Sequence, residues 1–175
     1  EIEITGVEPV LLVEPLKALR KMGAGIRMSG AAGPKARICM AMKRCPSGIE
    51  IDTGPYPGFP TDLQSVFLAA EAAGSGESRF KETVYEARFE AAMRLAAFGA
   101  DVSVHKDTAI IKGRYPLVPG IAETPDLRGG AALLVAALAA DGLSVISDRG
   151  HLRRGYEDIG RDLRKLGADI EEDEL

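Results

Sequence analysis

Leu16-Lys-Ala-Leu-Arg-Lys-Met-Gly-Ala-Gly-Ile26 decides the fold, because its plan recurs in Ala91-Ala-Met-Arg-Leu-Ala-Ala-Phe-Gly-Ala-Asp-Val102 and in Gly160-Arg-Asp-Leu-Arg-Lys-Leu-Gly-Ala-Asp-Ile170. In each, a helix-period pattern runs into a Gly-Ala pair and resumes with an apolar, strand-like residue. Gly23, Gly99 and Gly167 fall where the helix must end, at the position that favours a left-handed residue. Phe89, Ala92, Met93 and Ala96 follow an i, i+3, i+4, i+7 spacing, and Tyr156, Ile159 and Leu163 an i, i+3, i+7 spacing. Both helices are therefore expected to keep one wet face. The glycines stand too far apart for a small solenoid repeat and suit a unit of several elements.

A second element repeats with them. Thr61-Asp-Leu63 and Pro125-Asp-Leu127 each open an apolar helix, and Thr61, Asp62 and Asp126 are residue types that cap or enrich a helix N-terminus. The helix from about Leu127 to Ala140 is apolar on every side after Arg128, so it is expected to be enclosed by protein. Gly74-Ser-Gly76 and Asp141-Gly142 break these helices, with strands predicted at Arg79 to Val84, Leu143 to Ser147 and Thr108 to Lys112. The unit reads as buried helix, strand, amphipathic helix, strand. Two units are complete, at about 51–113 and 114–175. The first, about 1–50, is partial: it has a strand at Glu1 to Thr5 and a helix at Val13 to Met22, with no apolar helix before them. The expectation is an α/β chain forming one truncated domain, 1–175, of a longer protein.

At 46% hydrophobic and 27% charged, these 175 residues can bury a core, which excludes disorder and low-complexity scaffolds. The net charge of −4, without a basic run, argues against nucleic acid or an anionic membrane as a main partner. The longest strongly apolar run, Ala131 to Ala140, is about half of a bilayer span, and Glu1 opens no secretory signal. A cytoplasmic protein is the default. Cys39 and Cys45 read as reduced, with Cys39 in an apolar strand, Ala36 to Met42. With His105 and His151 they are too few and too scattered for a metal site. Met40, Met42 and the aromatics read as core, Gly74 to Ser78 as a turn, and Glu171 to Leu175 as a solvated end.

Asp62 ends the stretch Pro55-Tyr-Pro-Gly-Phe-Pro-Thr-Asp62, whose prolines and Gly58 restrict the approach to a helix start. That rigidity fixes where a carboxylate points, and both a cap and a catalytic base remain open. Arg88, Arg128 and Arg154 recur near the helix starts of the two complete units. Converging, they would receive a planar carboxylate or a phosphate; the blander alternative is a solvated salt-bridge face with Glu86, Glu90, Glu157 and Asp158.

Pro55-Tyr-Pro-Gly-Phe-Pro-Thr-Asp-Leu-Gln64, Glu82-Thr-Val-Tyr-Glu-Ala-Arg-Phe89, Asp126-Leu-Arg128 and Arg154-Gly-Tyr-Glu157 together resemble the UDP-N-acetylglucosamine 1-carboxyvinyltransferases, a family of enolpyruvyl transferases. The motifs keep that family's order and spacing from about Glu1 to the C-terminus. The resemblance implies an inside-out α/β barrel of pseudo-threefold repeats, with enclosed helices and outer sheets, and an active cleft shared with a second domain. It implies transfer of the enolpyruvyl group of phosphoenolpyruvate to the 3-hydroxyl of UDP-N-acetylglucosamine, the first committed step of peptidoglycan precursor synthesis, with no cofactor. By the same resemblance Asp62 is the general base on the sugar hydroxyl. Val84 and Tyr85 contact the nucleotide-sugar, Asp126 joins the substrate-binding set, and Arg88, Arg128 and Arg154 serve the phosphoenolpyruvate end. The family's cysteine loop and lysine-asparagine pair have no counterpart here; Cys39 and Cys45 lie outside any matching motif, and Met28 to Gly48 fits weakly. The chain alone is expected to be inactive. The alternatives are a 5-enolpyruvylshikimate-3-phosphate synthase and a non-catalytic ligand-binding module.

Overall fold

Gly23, Gly99 and Gly167 have φ of 107°, 75° and 96°, a region open to glycine and costly for other residues. In the computed structural model, which describes residues 1–30, 33, 36–86 and 88–173, each of them ends a helical segment. Pro34, Ala87 of the Glu82 to Phe89 motif, and Glu174 and Leu175 of the acidic end lie outside the described residues. Helix α1 (Val13–Lys21) passes through Gly23 into strand β2 (Gly25–Ser29), which pairs antiparallel with β3 (Arg37–Ala41). β3 also pairs with β1 (Ile2–Thr5), giving the order β1-β3-β2. Cys39 stands in β3 as expected, and both cysteines are unpaired and half-buried.

The middle of the chain follows the expected plan most closely. Helix α2 (Thr61–Ala72) leads to β5 (Gly76–Lys81), then to α3 (Glu90–Arg94) and a 3-10 turn at Leu95–Phe98, then through Gly99 to β6 (Asp101–His105) and β7 (Thr108–Gly113). With β4 (Glu50–Asp52) the strands form a sheet in the order β4-β5-β7-β6, parallel only between β4 and β5. The buried face after α2 differs from the spacing predicted for it: Phe89, Ala92, Leu95 and Phe98 are buried, while Met93 is 58% exposed and Ala96 is exposed. Residues three apart stack because the backbone tightens into a 3-10 turn after Arg94, at three residues per turn.

The last third departs further. β8 (Ile121–Glu123) pairs in parallel with β9 (Val145–Ser147), and α4 (Leu127–Leu138) lies between them in sequence. Helix α5 (Ile159–Lys165) reaches Gly167, yet no strand follows among the described residues. The Ile170 carbonyl accepts from the Arg164 guanidinium at 3.2 Å instead of from a neighbouring strand. Ile159 and Leu163 are half-buried as expected of an inner face, but Tyr156 is exposed.

The core is built on α2 and α4 lying side by side. Ala69, Ala72, Ala132 and Ala136 are wholly buried, and these small side chains let the two backbones approach. Around them Leu68, Phe80, Leu95, Phe98, Ile111, Leu117 and Leu133 close the interior, each large side chain contributing roughly 1.5–3 kcal/mol of burial. α4 is not enclosed on every side as its composition predicts. Leu134, Val135 and Ala137 are half-buried and Leu138 is 45% exposed, so α4 keeps a partly open side among the described residues. The aromatics also divide: all five phenylalanines are buried, whereas Tyr56, Tyr85, Tyr115 and Tyr156 are exposed. No helix among the described residues is long and apolar enough to cross a membrane.

Candidate active site

The proline loop is pinned by one aromatic. Phe59 is buried with its ring edge-on to Phe67 of α2, centroids 5.0 Å apart, and Gly54 donates its amide to the Phe59 carbonyl at 2.9 Å. Within the loop, Gly58 donates to the Pro55 carbonyl at 2.7 Å. The chain therefore enters α2 on a fixed path, and Asp62 falls in the first turn. Pro60 occupies the N-cap position with no side-chain cap bond. The Thr61 hydroxyl is turned away to Glu82, at 2.8 Å, so Thr61 is not a cap either.

Asp62 and Asp126, in corresponding places, do different things. Asp126 caps α4, its Oδ1 accepting the Arg128 and Gly129 amides at 2.8 and 2.7 Å. The Asp62 carboxylate instead accepts Nε of Arg128 at 2.5 Å, with the Arg88 guanidinium 3.7 Å away. Gly129 lets α4 lie close to α3, since a Cβ there would meet the Pro125 ring and stand 3.2 Å from Cβ of Ala91 in α3. The Asp62 hydrogen bond, reinforced by the charge of Asp62 and Asp126, raises the Arg128 pKa further above its ordinary value, so the guanidinium stays charged.

The Arg88 side chain is only 8% exposed, its guanidinium stacked on the Tyr85 ring at 4.4 Å from the centroid. Such a stack on a weakly hydrated cation is worth about 0.5–2 kcal/mol. Its buried Nε has no hydrogen-bond partner among the described residues. Arg88 is thus not part of a solvated face with Glu86 and Glu90, the alternative its sequence neighbours suggested. Val84, Tyr85 and Arg88, with Lys81, Lys106 and Asp107, line an open groove of about 640 Å³.

Arg154 is the one candidate arginine not ion-paired with Asp62 among the described residues. It ends a 3-10 turn, Leu152–Arg154, is exposed, and makes no ion pair among the described residues. Asp148 holds that turn by accepting the Gly150, His151 and Leu152 amides together with the Thr124 hydroxyl. Partial burial raises its pKa, but the four bonds outweigh this and leave it below the ordinary range.

Sequence reasoning missed Glu82 and Thr53. Glu82 is buried and accepts from both Thr53 and Thr61, partners 29 and 21 residues away, so no local spacing announced them. The one available signal was a glutamate immediately after a strand pattern, where the strand ends instead of continuing to Val84. The Glu82 amide donates to the Asp107 carbonyl at 2.7 Å, and its carboxylate draws the following amides out of the ladder.

A family model described as EPSP synthase (3-phosphoshikimate 1-carboxyvinyltransferase) matches residues 1–163. The chain belongs to this family. Proteins named UDP-N-acetylglucosamine 1-carboxyvinyltransferase from Sphingopyxis alaskensis and Thermotoga maritima are 36% and 38% identical over 98% and 96% of the chain. One named UDP-N-acetylglucosamine 1-carboxyvinyltransferase 1 from Legionella pneumophila is 41% identical over 97%. The chain spans 39%, 39% and 32% of these three relatives. The crystal structure of the enolpyruvyl transferase NikO from Streptomyces tendae superposes with a TM-score of 0.81 at 31% identity, over 97% of this chain and 39% of that one. An EPSP synthase from Acinetobacter baumannii, at 18% identity and a TM-score of 0.66 over 92% of this chain and 37% of its own, shares the fold. The transferase resemblance of the motifs is upheld, and the family's fold is a mixed α/β one, as expected.

Proposed function

We propose that this chain supplies one wall of the active cleft of a UDP-N-acetylglucosamine 1-carboxyvinyltransferase acting in peptidoglycan precursor synthesis in the cytoplasm. The observation that carries the reading is the meeting of Asp62 with Arg88 and Arg128 beside the Tyr85 groove, in a chain 36–41% identical to proteins of that name. Asp62 takes the proton of the sugar 3-hydroxyl as the sugar oxygen bonds to C2 of phosphoenolpyruvate, while C3 gains a proton from a group elsewhere in the enzyme. The tetrahedral adduct then loses phosphate and the C3 proton, restoring the double bond. Arg88 and Arg128 suit the carboxylate and phosphate of phosphoenolpyruvate, since fixed cations act best where charge develops. Arg154 and the capping Asp126 complete that end, and Val84 and Tyr85 face the nucleotide-sugar.

The three sheets and the α2–α4 pair fit an inside-out barrel of repeat units at about 1–50, 51–113 and 114–175, the first incomplete. The opposite wall of the cleft belongs to the remaining length of the relatives. Release of inorganic phosphate by the full-length polypeptide carrying this chain tests the reading. With phosphoenolpyruvate present, UDP-N-acetylglucosamine is expected to support turnover and shikimate 3-phosphate is not. The EPSP synthase description of the family model favours the reverse as a second reading, and turnover with shikimate 3-phosphate alone would establish it. Binding of either acceptor without phosphate release would mark a non-catalytic module.

A further inference from the structure

One carboxylate joins the two sides of the candidate site. Glu82 is 5% exposed. Its Oε1 accepts the Thr53 hydroxyl at 2.7 Å and the Val84 and Tyr85 amides at 2.8 and 3.0 Å, and its Oε2 accepts the Thr61 hydroxyl at 2.8 Å. These donors come from three segments: the chain just after β4, the first residue of α2, and the loop bearing Val84, Tyr85 and Arg88. Thr53 extends the junction, its Oγ1 accepting the Thr83 amide at 2.9 Å while its carbonyl accepts the Thr83 hydroxyl at 2.5 Å. A buried carboxylate is costly unless fully bonded, and one so bonded resists any displacement of its donors.

We propose that Glu82 is a positioning residue that fixes the spacing between Asp62 and the Tyr85–Arg88 stack, and thereby the pose of the nucleotide-sugar. The proposal rests on the transferase reading above. Its two arms do separate jobs. Through Thr61, Glu82 anchors the residue before Asp62 and so aims the base. Through the Val84 and Tyr85 amides it holds the loop on which the nucleotide lies, with the Tyr85 ring set over Arg88. Burial works to raise the Glu82 pKa, but the bonds from Thr53, Thr61, Val84 and Tyr85 outweigh it and hold the group below the ordinary carboxylate range. It is therefore ionised and acceptor-only at neutral pH, as four donors require.

The test is steady-state kinetics per folded molecule of the full-length polypeptide and three variants. A shift of about 1 Å at a reacting group can cost about a hundredfold in rate. Thr61→Val, which frees only the base, is expected to lower kcat about tenfold with the nucleotide-sugar KM within about twofold. Glu82→Ala is expected to lower kcat and also to raise that KM, each about tenfold. Glu82→Gln can accept the same amides and donate to the Thr61 hydroxyl, so it is expected to rescue both constants to within about threefold of wild type. Wild-type constants in Glu82→Ala, no rescue by Gln, or a KM rise in Thr61→Val equal to that of Glu82→Ala would each overturn the assignment. If the wild-type polypeptide fails to use the nucleotide-sugar, the functional reading fails, and amide hydrogen exchange then judges Glu82 by itself. Val84 and Tyr85 protection lost in Glu82→Ala and kept in Glu82→Gln supports the clamp; protection unchanged in both overturns it.

Discussion

Asp62 shows how far a single residue can be read. Its rigid proline approach was legible, because Pro55, Pro57 and Pro60 restrict the backbone whatever surrounds them. Its partners were not, since Arg128 reaches it across 66 residues of chain and only the α2–α4 contact brings the two together. The same sequence signal, an aspartate at an apolar helix start, produced a cap at Asp126 and an arginine-paired carboxylate at Asp62. What separates them is the N-cap position: Asp126 fills it in α4, whereas Pro60 fills it in α2 and leaves Asp62 inside the first turn. The geometry predicts that Asp62→Asn in the full-length polypeptide lowers kcat by about 10²–10⁴, the usual worth of a general base. Folding should hardly change, because Asp62 is 60% exposed and its ion pairs are of the partly solvated kind worth about 0–1 kcal/mol. Steady-state rates beside thermal melts check this. A fall in melting temperature that accounts for the lost rate would mean that Asp62 serves stability instead.

Elements were legible where local rules govern them and obscure where a partner decides. The glycine stops at Gly23, Gly99 and Gly167 were readable because φ near +75° to +107° is a backbone requirement. The buried face of the Phe89–Phe98 segment was not, because the switch to a 3-10 turn changes the period from 3.6 to 3. Helix α2 carries a second unread feature. Glu71 is 1% exposed, accepts the Ser78 hydroxyl at 2.7 Å through Oε2, and has no partner for Oε1 among the described residues. Burial, only partly offset by Ser78, pushes its pKa up from 4.5 to about 7. The folded state therefore binds this proton more tightly than the unfolded state. Its favourable contribution is complete below about pH 4.5 and is lost as pH rises to about 7, a change of roughly 3 kcal/mol. Glu82 and Asp148 run the other way: their depressed values give stability that is lost only as pH falls below the usual carboxylate range. Glu71→Gln is expected to flatten the melting temperature between pH 5 and 8 and to raise it at pH 8 by roughly 5 °C. Parallel curves for variant and wild type would show that Glu71 titrates normally in the folded chain.

At the scale of the whole molecule, the proposed cleft receives one wall from this chain. Asp62, Arg88 and Arg128 stand beside an open groove, Arg154 is exposed and makes no ion pair among the described residues, and the chain spans 39% of the length of relatives such as that of Thermotoga maritima. Electrostatic catalysis by such cations depends on excluding water, because the same charges at 4 Å interact about four times more weakly in bulk solvent than near a protein surface. A lone wall leaves phosphoenolpyruvate hydrated on its far side and supplies no group on that side to protonate C3. The isolated 175-residue chain is therefore expected to release no phosphate from phosphoenolpyruvate and UDP-N-acetylglucosamine above the uncatalysed background, while still binding the nucleotide-sugar weakly through the Tyr85 groove. Phosphate release and a titration followed by amide chemical shifts measure the two separately. Robust turnover by the chain alone would place a complete catalytic set on this wall, and the division of labour proposed for the cleft would fall with it. Shifts at Val84, Tyr85 and Arg88 without turnover are the pattern that a single substrate-facing wall requires.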